Sequence, residues 1–269
     1  MNQFKKNKFA IFGLVVLGLF IFLAVFANVI SPYNPESIVE SETQPPSLKH
    51  WFGTDEIGRD ILSRVFYGSR ISLTVGFVAV VIAIIIGIVF GALSGYFGGF
   101  LDTVLMRFVD VMLAFPSIFL ILTIQIMLSP NIYNVMIVIG LTSWMGVARL
   151  VRGEFLTQKE RQYVEAAHAI GASNLRIIFR HILPNAIAPI VVAATLGMAG
   201  AILTESALSF LGLGVQPPTP SWGNMLMDAQ AYMRDAPWIA IFPGLFILLS
   251  VLSLYFVGEG LRQVFNPKE

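Results

Sequence analysis

The sequence contains no cysteine and few charged residues. Lys, Arg, Asp and Glu make up 12% of its 269 residues, against about 25% in a typical soluble domain. Without cysteine there can be no disulfide, thiolate metal site or cysteine nucleophile. The chain also lacks the Gly-x4-Gly-Lys-Ser/Thr loop that cradles nucleotide phosphates, and no basic cluster is interleaved with aromatic residues. These absences argue against a soluble domain, a phosphate-loop ATPase and a nucleic-acid-binding protein.

Apolar sequence is abundant instead, at 56% of all residues, and it falls into six runs. A helix of about 20 apolar residues crosses the roughly 30 Å hydrocarbon core of a bilayer. We therefore predict an all-α polytopic membrane protein with six transmembrane helices. The predicted spans are residues 9–30, 71–95, 108–128, 132–148, 186–210 and 238–257.

The first apolar run has two interpretations. Val25-Phe26-Ala27 could serve a signal peptidase, but the run is longer than the 7–15 residues typical of a signal-peptide core. We therefore predict that it is a retained span. The chain is expected to divide into an N-terminal span with an external polar segment, residues 1–70, and a core membrane domain, residues 71–269.

Local patterns predict how the spans pack. Gly87, Gly91 and Gly95 recur every four residues, which gives a helix face without side chains that suits close helix packing in lipid. Pro116 is expected to bend the third span. Arg107 and Asp110 are three residues apart, so they are expected to pair at the end of that span.

The external segment contains a cluster of acidic residues. Asp55, Glu56 and Asp60 lie near glycines, but their spacing does not match a calcium-binding EF-hand loop. No metal site is predicted here. The segment is expected to form a structural cap or a contact for an external protein.

Residues 149–184 form the longest polar run between two apolar blocks, and we call them the signature loop. Basic residues concentrate on the cytoplasmic side of membrane proteins. This loop and both chain termini are therefore predicted to be cytoplasmic. The loop carries six of the seventeen Lys and Arg residues, namely Arg149, Arg152, Lys159, Arg161, Arg176 and Arg180.

Two short helices are predicted within the signature loop. Residues 154–169 contain good helix formers and neither Gly nor Pro. Gly171 then provides an unstrained left-handed stop. Ser173 is expected to cap a second helix over residues 174–182, and Pro184 is expected to end it by steric exclusion.

The first of these helices has a smooth patch. Ala166, Ala167 and Ala169 carry little side-chain bulk, so a partner could approach the backbone closely, and Glu165 supplies one fixed charge beside them. The alternative is an amphipathic helix that rests on lipid headgroups, which basic residues would also favour. Composition alone leaves both open.

The signature loop resembles that of the permeases of binding-protein-dependent ABC importers. Their pattern is E-A-A, three residues, Gly and a closing Leu-Pro. His181, where the general pattern has Ile, is similar to the dipeptide, oligopeptide and nickel branch. Residues 50–60 (HWFGTDEIGRD) and 205–214 (ESALSFLGLG) also resemble this branch, the first its C-type subunit. The residues that match the loop pattern are Glu165, Ala166, Ala167, Gly171, Leu183 and Pro184.

The resemblance implies a type I ABC importer permease fold in the cytoplasmic membrane, with coupling helices between spans four and five. The implied partners are a homologous permease subunit, two ATPase subunits, an extracytoplasmic substrate-binding protein, membrane lipid and a peptide substrate. No catalytic residue, metal or cofactor is expected in this chain, because ATP and Mg²⁺ would bind the ATPases. The expected ATPase-coupling residues are Glu165, Ala166, Ala167, Ala169, Gly171, Arg176, Arg180 and Pro184.

Other cargoes and other classes remain alternatives. Relatives in this branch carry nickel or its chelates, glutathione and oligosaccharides. An ATP-independent channel would share the six spans. An intramembrane protease would need paired carboxylates, a Ser-Lys pair or a His-rich zinc motif within the spans, and the sequence has none.

Polar residues within the spans are the candidates for a substrate pathway. An ionisable group at membrane depth is by default functional, which singles out Glu205, although a role in snorkelling to the membrane surface or in helix pairing is an equal alternative. Thr204, Gln125 and Ser143 are weaker candidates, because hydroxyls within spans usually bond to the backbone.

Overall fold

The computed structural model describes residues 7–265, and helices account for most of them. Within that range the only β-type pairings are two isolated bridges between residues 38 and 59 and residues 54 and 60. The helices are α1 (Lys8–Ile30), α2 (Ile61–Phe97), α3 (Gly99–Ala114), α4 (Ser117–Met127), α5 (Ile132–Lys159), α6 (Gln162–Ala169), α7 (Asn174–Phe210), α8 (Trp222–Ala229) and α9 (Trp238–Phe265).

Five of these helices, α1, α2, α5, α7 and α9, are long and apolar enough to cross a membrane, and α3 with α4 supplies a sixth crossing when the pair counts as one span. The all-α architecture with six spans is therefore confirmed. Large apolar side chains such as Val15, Ile21 and Val25 are exposed on the outside of the bundle. Apolar patches of that extent mark a surface in contact with membrane or protein.

The third span is broken rather than gently bent. The prediction of one helix over residues 108–128 is wrong, because α3 and α4 meet at an angle of 82°. Phe115 and Pro116 are both extended between them. Proline disfavours a helical conformation for the residue before it and has no N–H to donate, so the chain leaves the helix at this point.

Several helices extend beyond their apolar runs. The α2 helix begins at Ile61 rather than residue 71, and the Asp60 carboxylate caps it by accepting from the Ser63 backbone N–H at 2.8 Å. The α5 helix continues to Lys159, past residue 148. The expected division at residue 70 falls inside α2 and stays a prediction. Residues 1–6 and 266–269, which include both predicted cytoplasmic termini, lie outside the described residues.

The glycine face predicted on α2 packs against α5. A methyl group at Gly91 would lie 2.5 Å from the Ala148 carbonyl oxygen, and one at Gly95 would lie 2.7 Å from the Phe155 Cβ. One at Gly87 would meet Val147 in the same way. The predicted close packing is confirmed, and it holds α2 and α5 together along three successive turns.

The external segment is organised by buried charges. The Arg59 guanidinium donates to Asp55 and Glu56, at 2.6 Å in both cases, while Arg64 lies 3.3 Å from Asp55 and 3.5 Å from Asp228 of α8. Three carboxylates thus face two guanidinium groups. The network ties the polar segment to α2 and α8, as expected for a structural cap.

Burial changes the proton affinity of this network. Desolvation raises the pKa of Glu56, and the neighbouring Asp55 charge raises it further. Desolvation likewise raises the pKa of Asp228. A carboxyl group whose pKa is higher in the folded than in the unfolded state stabilises the fold most at pH values below its unfolded-state pKa. That stabilisation is lost as the pH rises through the folded-state pKa.

Glu56→Gln is therefore expected to gain stability relative to the unsubstituted protein as the pH rises from about 5 to about 8, by a few degrees in melting temperature. Scanning fluorimetry of the detergent-solubilised protein measures this difference. Glu40→Gln is the control, because Glu40 is exposed and its bond to Lys49 lowers its pKa. An equal gain for both variants, or no gain for Glu56→Gln, would contradict a raised pKa for Glu56 in the folded protein.

Candidate functional site

The signature loop forms a tight elbow, residues 160–173, between α5 and α7. The expected single helix over residues 154–169 is wrong, since α5 ends at Lys159 and the extended Arg161 precedes α6. Phe155 before the break and Val164 after it are both buried in one apolar cluster. The chain turns between them so that both face this core. Propensity favoured one helix, and tertiary packing overrode it.

Gly171 ends α6 in the left-handed conformation that the sequence predicts. Its φ is +77°. Its N–H donates to the His168 carbonyl at 2.9 Å, and the Ala172 N–H donates to the Ala167 carbonyl at 3.0 Å. This pair of bonds is a Schellman motif, which satisfies helix-end carbonyls. Ser173 takes the N-cap position of α7, but its side chain makes no capping bond.

Pro184 does not end the next helix. The predicted stop after residue 182 is wrong, because α7 runs without a break from Asn174 to Phe210. Residues Ile177–Ile182 adopt a π-helical form just before the proline. In a π-helix each carbonyl accepts from the N–H five residues on. Pro184 has no N–H to donate in either register, and the helix continues through it directly after this stretch.

One face of α6 is exposed and the other is buried. Glu165, Ala166 and Ala169 are exposed, at the spacing that places them on one side of a helix. Ala167 is only 3% exposed and packs into the core cluster. The smooth patch therefore consists of two alanines rather than three. The other expected coupling residues, Gly171, Arg176, Arg180 and Pro184, are exposed.

Ile170 is the residue of this face that the sequence interpretation missed. It is 83% exposed at the tip of the elbow, between Ala169 and Gly171. An apolar side chain in the residue before a predicted helix-ending glycine was the available signal. Glu165, Ala166 and Ala169 of α6, together with Ile170, therefore present one carboxylate, two small side chains and one branched apolar side chain.

The elbow is fixed to the helices beneath it. Val164 and Ala167 of α6 share their cluster with Phe155 of α5 and with Ile177 and Ile182 of α7, which are fully buried. Burying one large apolar side chain contributes about 1.5–3 kcal/mol. A force on the elbow is therefore carried to α5 and α7.

Ion pairs join α3 to α5 near the elbow. Arg152 binds Asp102 through two hydrogen bonds of 2.6 and 2.7 Å. Arg149 lies 2.5 Å from Asp110. The expected Arg107–Asp110 pair is wrong, because Asp110 pairs across to α5 rather than along its own helix.

Glu205 is fully buried within the chain. Its carboxylate accepts from the Ser209 hydroxyl at 2.8 Å and from the Ser72 hydroxyl of α2 at 3.1 Å. The backbone N–H of Trp222 in α8 donates in turn to the Ser72 hydroxyl oxygen at 3.3 Å. The geometry supports the helix-pairing alternative, because Glu205 connects three helices. A pathway role for it stays a prediction.

The other polar candidates have different surroundings. The hydroxyls of Thr204 and Ser143 donate to backbone carbonyls four residues earlier in their own helices. Ser143 also borders a small cavity of about 40 Å³ beside Gly197. Gln125 is buried, and neither polar atom of its amide has a partner among the described residues. Within residues 7–265, no side-chain hydrogen bond joins Thr204, Ser143 or Gln125 to Glu205.

Glu205→Gln is expected to leave stability and uptake nearly unchanged, because the amide oxygen still accepts from one serine and the amide NH2 can donate to the hydroxyl oxygen of the other. Glu205→Leu is expected to lower stability by about 1–3 kcal/mol, because it leaves buried hydroxyls without an acceptor. Thermal melting in detergent and peptide uptake by proteoliposomes measure the two effects. An altered KM for uptake in Glu205→Gln at unchanged stability would instead favour a pathway role.

Six spans, a polar segment tied by buried ion pairs and an elbow packed on α5 and α7 characterise a polytopic membrane protein. Residues 87–269 match the model of the binding-protein-dependent transport system inner membrane component. Residues 1–48 match the N-terminal transmembrane domain of oligopeptide transport permease C. The chain belongs to the family of binding-protein-dependent transport system inner membrane components.

Similar proteins cover nearly the whole chain. A dipeptide transport system permease protein of Alkalihalophilus pseudofirmus is 46% identical, over 99% of this chain and 88% of the relative. One from Escherichia coli is 47% identical, over 99% and 91%. A glutathione transport system permease protein of Shigella flexneri is 46% identical, over 99% and 89%. The expected branch is therefore confirmed.

A solved structure shares the fold. A chain of the methionine ABC transporter in inward-facing conformations superposes with a TM-score of 0.63, covering 77% of this chain and 98% of that chain at 17% sequence identity. At this identity the likeness concerns the fold alone, and it confirms the type I importer permease architecture. The chain is thus a multi-pass membrane permease.

Proposed function

We propose that this chain is one permease subunit of an ABC importer for dipeptides or short oligopeptides. The cargo is inferred from the full-length similarity to two dipeptide permeases and a glutathione permease. Glutathione is itself a tripeptide, so all three relatives indicate a peptide backbone as cargo. Glutathione is the second candidate because that relative is as similar as the others.

The proposed complex contains a homologous permease subunit, two ATPase subunits and an extracytoplasmic substrate-binding protein. ATP and Mg²⁺ bind the ATPases, and this chain has no catalytic role. The exposed face of α6 docks in a cleft on one ATPase, with Glu165 as a charged anchor. The elbow and both chain termini lie in the cytoplasm, and the polar segments 31–70 and 212–237 meet the binding protein outside.

Movement of the ATPases would be converted to alternating access by rigid groups of helices. When the ATPases close on ATP, the elbow is displaced. The buried cluster beneath it moves α5 and α7, and the glycine face of α2 moves with α5. The substrate pathway lies between the two permease subunits and opens to alternate sides.

The test is co-expression of the chain with candidate permease, ATPase and binding proteins, followed by purification through this chain alone and reconstitution in liposomes. Co-purified ATPases and ATP-dependent uptake of labelled dipeptide support the proposal. Uptake without ATP would indicate a channel. If the binding protein preferred glutathione, nickel or an oligosaccharide, that solute would replace dipeptides as the proposed cargo. Labelling of a cysteine at Glu165→Cys from outside intact cells would overturn the orientation.

A further inference from the structure

Tyr96 lies at the end of α2, directly beneath the elbow. Its side chain is 5% exposed. Its hydroxyl donates to the Asn174 side-chain oxygen, in the first residue of α7, at 2.9 Å. The ammonium of Lys159, the last residue of α5, donates to the Tyr96 carbonyl oxygen at 2.7 Å.

The ring of Tyr96 makes further contacts with the elbow. The Lys159 ammonium lies 5.7 Å from the ring centroid, within range of a cation–π interaction. The ring also stacks on His168 of α6, with 6.5 Å between centroids and 16° between planes. Tyr96 therefore touches the end of α5, the short helix α6 and the start of α7.

Ala92 of α2 shares a buried cluster with Ile177 and Ile182 of α7, but this packing fills only part of the surface between the two helices. A groove of about 240 Å³ opens between them, lined only by apolar side chains, among them Leu93 and Phe97 of α2 and Leu175 and Phe179 of α7. A gap forfeits the dispersion contacts that would otherwise hold two helices together. The Tyr96–Asn174 bond spans the two helices beside this groove.

We propose that Tyr96 is a positioning residue that couples the start of α7 to the unit of α2 and α5, so that displacement of the elbow moves all three helices together when the ATPases close. This inference rests on the proposed function. Tyr96 does not touch substrate or nucleotide. Its hydroxyl links the first residue of α7 to α2, and its carbonyl links α2 to the last residue of α5.

The experiment compares Tyr96→Phe with the unsubstituted protein in the complete importer, reconstituted in liposomes with its binding protein and dipeptide. Tyr96→Phe keeps the ring and removes the hydroxyl. The number of ATP molecules hydrolysed per dipeptide transported is expected to rise about 3- to 10-fold, as the loss of one neutral hydrogen bond allows. The ATPase subunits are expected to remain bound.

Tyr163→Phe is the matched control. The Tyr163 hydroxyl donates to Gln158 at 2.7 Å, so this bond stays within the signature loop and does not reach α2. Its ratio of hydrolysis to transport is expected to stay unchanged. Asn174→Ala should raise the ratio as Tyr96→Phe does, and the double variant should be no worse than either single variant.

Each outcome decides the question. An unchanged ratio in Tyr96→Phe, or an equal rise in Tyr163→Phe, overturns the proposal. Loss of the ATPases from Tyr96→Phe alone also overturns it, because Tyr96 would then shape the docking surface rather than transmit movement. Absence of ATPases from the unsubstituted complex refutes the proposed function instead.

Discussion

An Asp in place of Ile170 is expected to reduce ATP-driven uptake more than tenfold. Ile170 is 83% exposed at the tip of the elbow, where the proposed docking would bury it against an ATPase. Burying an unpaired carboxylate costs several kcal/mol, and each 1.4 kcal/mol is about a factor of ten in affinity. Co-purification of the ATPases and uptake by proteoliposomes measure the loss.

Ile38→Asp is the matched control for co-purification of the ATPases, the readout that does not depend on the binding protein. Ile38 is 68% exposed on the polar segment at the opposite end of the spans, where no ATPase would reach it. Both changes place a carboxylate at an exposed isoleucine outside the spans, so both proteins are expected to fold. Glu165→Ala is expected to weaken ATPase binding as well, by a smaller factor. Full co-purification with Ile170→Asp would refute the docking of this face.

Gly91→Leu is expected to prevent stable folding. Even a methyl group at Gly91 would lie 2.5 Å from the Ala148 carbonyl oxygen and 2.6 Å from the Val151 Cβ. Overpacking a well-packed core costs about 1–3 kcal/mol, and a leucine against backbone is expected to exceed that range. Fluorescence-detected size exclusion of the solubilised protein should show loss of the monodisperse peak.

Gly146→Leu on α5 is the control for this substitution. Among residues 7–265, no atom beyond the adjacent residues and the nearby backbone of α5 lies within 4 Å of a methyl group at Gly146, so the chain alone is expected to fold. Gly91→Ala should give an intermediate effect, with a lowered melting temperature and a retained peak. Equal behaviour of Gly91→Leu and Gly146→Leu would mean that α2 and α5 are not held in close contact.

The apolar spans were predictable because hydrophobic length is a local property of sequence. The positions where helices break were not predictable in this way. Pro116 separates two helices by 82°, whereas α7 continues through Pro184, directly after a π-helical stretch. The same residue type gives opposite results, since the outcome depends on whether neighbouring turns can rearrange and on what the following residues pack against.

The site was predictable in part for the same reason. Gly171 ends α6 because its left-handed conformation is an intrinsic property of glycine. The burial of Ala167 depends on Phe155 and Ile177, which arrive from other helices. Tyr96, 78 residues before Asn174, carries no local signal of its role. Sequence thus indicated the loop, and tertiary packing decided which of its faces is exposed.

The π-helical stretch Ile177–Ile182 sets an angular relation between the two ends of α7. A π-turn holds about one residue more than an α-turn, and one residue corresponds to about 100° of rotation about the helix axis. Leu175 therefore faces outward while Ala186 and Ile190, on the same helix, face the core. Deleting one residue from this stretch would restore regular α-helical turns at nearly the same angle between the two ends, so the π form absorbs an extra residue without turning the membrane half of α7 away from its partners.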